Sequence, residues 1–259
     1  MLPPHRLLSI TSLLLILFYF NAGAQAQQTA SSDSLAEKIQ QAFKAADYTQ
    51  VISLTEKAHT TSSLAQQARS AAFERRGEQA FFNGKMNNAI ADFDSYIALN
   101  PSREPHHWQR GIAYYYAKQY LQGKSQFEVH QTVNSQDVEN AVWHFLCAVR
   151  CPGAKIDDAR KTFIPIDSDQ RIPMKEIHAL FAGSGSPEAV IAAAQSGSPD
   201  APTLRNQLCY AHLYLGLYYE ALGETQKSAK HIRLAATDYK MHHYMGKVAQ
   251  VHAKLRGIE

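Results

Sequence analysis

Only three cysteines occur in 259 residues, Cys147, Cys151 and Cys209. An odd number cannot pair fully within one molecule and no C-x-x-C pair occurs, so neither a disulfide framework nor a dithiol redox motif is signalled. Cys147 and Cys151 stand four apart, within reach of each other on a helix, but Pro152-Gly153 breaks the chain at once and leaves their pairing open. The favoured reading of each is a small buried hydrophobe. An excess of one charge is lacking too: 26 Lys and Arg face 23 Asp and Glu, which exerts no general pull on nucleic acid. Alternating apolar and polar residues with β-branched enrichment persist nowhere, so no strand is expected. Also missing are H-E-x-x-H, G-x-S-x-G and a Gly-rich loop between strand and helix, which would announce zinc hydrolases, serine hydrolases and phosphate binders.

Long apolar runs are confined to the start. His5 and Arg6 precede an apolar stretch from Leu7 to Phe20, and the small residues Ala22-Gly23-Ala24 and Ala24-Gln25-Ala26 follow. Residues 1–26 therefore read as a secretory signal peptide cleaved after Ala24 or Ala26. No cysteine follows the small residues, so a lipid anchor is not expected. Nothing downstream reaches the roughly 20 apolar residues of a spanning helix. The expectation is an exported chain, periplasmic or secreted, with no stable membrane span once the signal is removed.

What is present is a repeat. From Gly77, the residues Gly84, Ala89, Phe93 and Pro101 stand at offsets of 7, 12, 16 and 24; from Gly111, 34 residues on, Tyr114, Gly123 and Phe127 stand at 3, 12 and 16. A third copy has Trp143, Leu146 and Cys147 in the first helix, with Ala159 and Phe163 following. A fourth carries Leu215, Gly216, Tyr219, Gly223, Ser228 and Ile232. Such spacing has a mechanical origin, since two helices crossing closely need small residues at the crossing and large ones beside it. The expected repeats span about 34–66, 70–103, 104–137, 140–163 and 209–242. Residues 164–208 form an irregular helical insertion, in which Ser186 before Pro187 reads as a helix start and SPDAP at 198–202 as a break. The stripe Tyr239, Tyr244, Val248, Val251 and Leu255 predicts a C-terminal capping helix over 243–259. The fold class is all-α, an α-solenoid of helix-turn-helix repeats.

The W-x2-L-G-x2-Y, A-x3-F and P pattern resembles the tetratricopeptide repeat (TPR) family. In arrangement the chain is similar to the exported bacterial envelope TPR proteins typified by new lipoprotein I, without their lipidated cysteine. The resemblance implies a scaffold or adaptor with no catalysis of its own, no cofactor and no metal. Other proteins or peptides of the cell envelope are its implied partners, nucleic acid is not, and a homo-oligomer is allowed. In that family the first helix of each repeat lines a concave groove. Carried over, the groove-facing places are Glu74, Glu78, Phe81 and Phe82, then Trp108, Ile112, Tyr115 and Tyr116, then His144 with Ala148, then Tyr210, Leu213, Leu217 and Glu220. The resemblance therefore implies an aromatic groove suited to an amphipathic helix or extended segment. It is open to a partner, or filled by the insertion or the capping helix. The alternative function is a small-molecule or enzyme-accessory binding solenoid, with a pocket between groove and insertion walled by Trp108, Tyr115 and His144. Twelve histidines invite a metal reading, but His106-His107 and His242-His243 are adjacent pairs that diverge on a helix and the rest are scattered.

Overall fold

A computed structural model describes residues 26–57 and 63–258. The expected signal peptide lies outside the described residues apart from Ala26. Among the described residues the chain is all helical, without a strand, and no helix is long and apolar enough to cross a membrane.

The helices run α1 (Ala26–Lys44), α2 (Tyr48–Lys57), α3 (Ser63–Phe82), α4 (Met86–Leu99), α5 (Trp108–Tyr116), α6 (Tyr120–Gln131), α7 (Val138–Arg150), α8 (Ile156–Lys161), α9 (Met174–Ala182), α10 (Pro187–Ala194), α11 (Ala201–Ala221), α12 (Thr225–Ala236) and α13 (Tyr244–Arg256), with a 3-10 turn at Pro101–His106. Helices adjacent in sequence pack on one another, except α8 and α9, each of which packs on α7 instead. The 34-residue spacing is visible as repeated contacts. A Cβ at Gly111 would stand 2.6 Å from Cζ of Phe127, and one at Gly77 2.6 Å from Cε1 of Phe93. The small residue lets the second helix press its aromatic ring against the first. Polar contacts repeat at the same spacing: Arg76 Nε donates to Asp92 Oδ2 at 2.9 Å, and Arg110 Nε donates to Gln126 Oε1 at 2.8 Å.

The turns repeat as well. After α3 the chain reverses at Gly84, where φ is +81°, and Lys85 N bonds back to Ala80 O at 2.8 Å. After α11 it does so at Gly223, φ +78°, with Glu224 N on Tyr219 O at 2.9 Å. These are left-handed helix ends for which glycine carries no steric penalty. The turn after α5 has the same bond, Gln119 N to Tyr114 O at 2.9 Å, but places Lys118 at φ +61°. Lys118→Gly is therefore expected to stabilise the protein by about 0.5–1 kcal/mol, read as a higher urea midpoint at unchanged m; a lower midpoint would contradict it.

The expected boundaries shift in two places. The third copy ends in a six-residue helix, α8, and Phe163 lies just beyond it, where its ring stacks on His178 at 4.7 Å and meets Phe145 edge-on at 5.7 Å. The segment SPDAP begins a helix instead of breaking one. Asp200 caps α11 by accepting from Thr203 N at 2.9 Å, and Pro202 sits in the first turn, where its missing N–H costs nothing. The helix thus covers 201–208 of the expected insertion. Ser186 caps α10 from Ala189 N at 3.2 Å, with Pro187 opening that helix. α9 and α10 pack together and against α7 and α11, and Met174, Ile177, Phe181 and Val190 are fully buried. The insertion's helices contribute one buried face each to the core, because their apolar stripes find α7 and α11. All three cysteines are free thiols, with Cys147 and Cys209 buried.

α13 does more than cover the last repeat. It packs on α11 and α12 and also reaches back to α3, where Lys254 Nζ donates to Asn83 O at 3.3 Å. The end of the solenoid is thereby laid across the first helices of the earlier repeats.

Candidate functional site

The residues expected to line an open groove are divided by the structure between a seal and a cavity. At the seal, Tyr244 of α13 stacks on Phe81 with centroids 5.8 Å apart and meets Phe82 at 5.1 Å and Trp108 at 4.7 Å. Lys247 stands over the Phe82 ring at 4.7 Å. Tyr116 Oη shares a hydrogen bond with Nδ1 of His252 at 3.1 Å, and His252 is fully buried. Tyr115 donates to Glu220 Oε2 at 3.0 Å, and Glu220 also accepts from Arg256 Nε at 2.6 Å. Of the two alternatives weighed for the groove, the structure fills it, and with the capping helix. An apolar stripe on α13 facing a row of exposed aromatics leaves both wet unless they meet.

The remaining expected groove residues are spread out. Leu213 and Leu217 are fully buried in α11. Glu78 pairs with Arg75 on its own helix at 3.0 Å. Burial raises the Glu74 carboxyl above its ordinary range, with the Glu78 charge adding to the effect. His144 is buried, as is Ala148, and has Nε2 3.4 Å from Glu128 Oε1. Of the three residues expected to wall a pocket, Trp108 lines the cavity described next, and Tyr115 and His144 do not.

That pocket is a cavity of about 350 Å³ where α5, α6, α7, α11, the start of α13 and the Arg171 loop meet. Trp108 and Ile112 come from α5, Phe127 and His130 from α6, Glu139, Asn140 and Trp143 from α7, and Tyr210 from α11. Its far wall is the N-terminus of α13. There His243 caps the helix, its Nδ1 accepting from Gly246 N at 3.1 Å, which leaves the proton on Nε2. The Tyr210 and His243 rings lie nearly parallel, 5.0 Å apart.

The polar edge is built on the start of α7. Asp137 caps it, accepting from Glu139 N at 3.0 Å, and Asp169 Oδ2 accepts from Val138 N at 3.2 Å. Carboxylates suit this end of a helix dipole. Arg171 ties the edge together with bonds of 2.6 Å to Asp137, 2.5 Å to Glu139 and 2.6 Å to Asp169. Tyr214 donates to the other oxygen of Glu139 at 2.7 Å. Burial raises the Glu139 carboxyl to about 7, against the opposing pull of Arg171.

Five of the lining residues carry a buried polar atom with no protein partner: His130 Nε2, Asn140 Oδ1, Trp143 Nε1, His243 Nε2 and Tyr244 Oη. His130, Asn140 and Trp143 are 5%, 2% and 1% exposed. Buried polar atoms are nearly always satisfied, but these five are closed to water as well as unpartnered, and the open lining of the cavity is mostly apolar with its polar groups at the Asp137 and Arg171 edge. Sequence reasoning found Trp108, Ile112 and Tyr210 but missed Asp137, Glu139, Asn140, Arg171 and His243. The readable signal was Asp137 as a helix start three residues before Asn140; Arg171 sits in a loop that no periodicity addresses. Among the described residues no three His, Cys, Asp or Glu side chains converge as a metal site would require.

Buried neutral histidines give the fold a pH dependence. Burial lowers His107, His212 and His252 to about 4 each from an ordinary 6.5. Between pH 6.5 and 4 the unfolded chain binds protons there that the native chain refuses, so this stability is complete above 6.5 and is lost as pH falls. Glu139 opposes, since its native carboxyl keeps a proton up to about 7 that the unfolded chain releases near 4.5. Three imidazoles outweigh one carboxyl. Stability is expected to fall by roughly 2–4 kcal/mol between pH 6.5 and 5.0, as a lower urea midpoint; a midpoint that rises on acidification would refute the assignment. No protein-family model matches this chain, so what the cavity does rests on its geometry.

Proposed function

We propose that this is an exported, TPR-like binding protein without catalysis of its own, and that it takes a small polar ligand into the cavity closed by the N-terminus of α13. The observation that carries the reading is the cavity itself, about 350 Å³ and at the low end of ordinary ligand pockets, with aromatic walls at Trp108, Tyr210 and Tyr244 and a polar edge at Asp137, Glu139 and Arg171. The adaptor reading needs a groove, and that groove is occupied by α13, so a partner helix there has to displace it. What favours keeping it as a second reading is that α13 itself sits in the aromatic row as a docked helix would.

The test is a thermal-shift panel of small hydroxylated, amide and amine compounds on the chain lacking residues 1–26, run beside Ile112→Phe, which puts a larger ring into the cavity. Binding by the native state raises the melting temperature, by an amount that grows with the logarithm of ligand concentration once that exceeds the Kd. At least one compound is expected to raise it by several degrees in the parent and not in the filled variant. A panel without any such shift overturns the cavity reading. Capture of envelope proteins by Tyr244→Ala, but not by the parent, would support displacement of α13 instead.

A further inference from the structure

We infer that residues 167–172 are a strap held down by polar contacts alone, and that its lifting opens the cavity beside Trp108 and Glu139 to solvent. Its role as an entrance for a ligand rests on the cavity reading; the movement itself does not.

The anchoring of the segment is the first argument. Ile166 packs on the core and Pro173 is buried, but none of the residues between them is. Even Ile172, their one large apolar side chain, is 45% exposed. Side-chain bonds hold the segment to the start of α7 instead. Gln136 Oε1 accepts from Asp167 N at 2.8 Å and from Ser168 N at 3.1 Å. Asp169 accepts from Val138 N, and Arg171 donates to Asp137 and Glu139. Gln136 and Arg171 are both exposed. Bonds at the surface are readily exchanged for bonds to water, and a segment with no apolar burial opens well before the fold around it.

Little is orphaned when the two sides separate. Arg171 keeps Asp169, which its Nε and Nη2 both reach within the segment. Asp137 keeps Glu139 N and Asn134 Nδ2, each at 3.0 Å, and Glu139 keeps the Tyr214 hydroxyl. Each charged group of the latch thus retains a partner. The amides of Asp167, Ser168 and Val138 are released, the last at a helix start, where water commonly serves.

The place of the segment makes it an entrance. Of the residues that line the cavity, Arg171 alone is exposed; the others are buried or half-buried. Lifting Arg171 therefore removes the part of the wall that already stands next to solvent.

Both tryptophans of the chain, Trp108 and Trp143, line the cavity. Quenching of their fluorescence by acrylamide, a small neutral solute, so reports access without any ligand. The chain lacking residues 1–26 is compared at pH 7.0 with Arg171→Gln and with Gln136→Ala, which replaces an exposed side chain and carries the test if the first variant does not fold. Neither substitution alters Asp169 or Val138, so the Val138 amide reports opening in both. Its hydrogen exchange, followed by NMR, is expected to quicken about tenfold or more in Arg171→Gln and about threefold or more in Gln136→Ala, while the amides of Phe145 to Ala148 inside α7 keep the parent's rate. The acrylamide quenching constant is expected to rise in the same order, at least about twofold in Arg171→Gln. Val138 exchanging at the rate of the α7 interior in all three proteins overturns the strap. Faster exchange at Val138 with unchanged quenching means a movement that does not open the cavity, and overturns the entrance. The compound panel decides the cavity reading separately: if exchange and quenching both rise while no compound binds, the opening stands and the ligand reading falls.

Discussion

Truncation after Met241, which deletes α13, is expected to leave a chain that no longer unfolds cooperatively, binds a hydrophobic dye and has lost most of its near-ultraviolet circular dichroism. The reason is the amount of core that leaves with one helix. Met245, Val248, Ala249, Val251, His252 and Ala253 are all buried, and the Tyr244 ring covers Phe81, Phe82 and Trp108. Burying a large apolar side chain contributes about 1.5–3 kcal/mol. Met245, Val248, Val251 and the ring of Tyr244, discounted for a compact unfolded chain, come to roughly 5–8 kcal/mol. A domain's whole stability is about 5–15 kcal/mol. The truncation also strips Glu220 of Arg256 and Tyr116 of His252, leaving polar groups of the seal without their partners. The outcome separates two pictures of the solenoid. In a strictly linear repeat array the last helix contributes to its neighbour alone, and its loss is local. Here it also touches α3, so its loss should reach the first strong repeat. A truncated chain that melts within a few degrees of the parent would show that α13 is a detachable cap.

How far the sequence carried this reading can be judged from particular residues. The helix pairs at Gly77–Phe93, Gly111–Phe127 and Gly216–Ile232 were legible because close packing of two neighbouring helices imposes a local spacing. Ser186 and Pro187 were legible because a cap is a contact between residues three apart. SPDAP misled because its prolines mark a break and a helix start equally well, and only the Asp200 bond to Thr203 decides between them. The destination of α13 could not be read. Its stripe says that it must be buried, and α12 beside it covers part of that stripe, but the contacts that lay it across the aromatic row lie more than 100 residues away in sequence, such as Tyr116 with His252. The cavity was half legible: Trp108 and Tyr210 fell out of the repeat register. Arg171 and His243 did not, because Arg171 sits in a loop and His243 at the very start of the capping helix, off its apolar stripe, and they are placed by ion pairs and a cap.

Trp143→Ala carries the largest expected cost of any single substitution in this core. Trp143 is 1% exposed and among the largest fully buried side chains. Its ring meets Tyr115 at 5.4 Å and Tyr116 at 6.0 Å, both nearly edge-on. Large-to-small changes of this kind cost about 3–5 kcal/mol through lost transfer energy and the space left behind. The upper end is expected, because Trp143 borders an existing cavity and neighbours that already face open space cannot easily close over more. Trp143→Phe should recover most of the loss, since it keeps an aromatic ring while removing the unpartnered Nε1. The two variants make the cost interpretable. If packing dominates, equilibrium denaturation gives a drop of about 3–5 kcal/mol for alanine and less than about 2 kcal/mol for phenylalanine. Equal stability losses in the two variants would mean that the indole N–H, and not the ring's bulk, is what this position contributes.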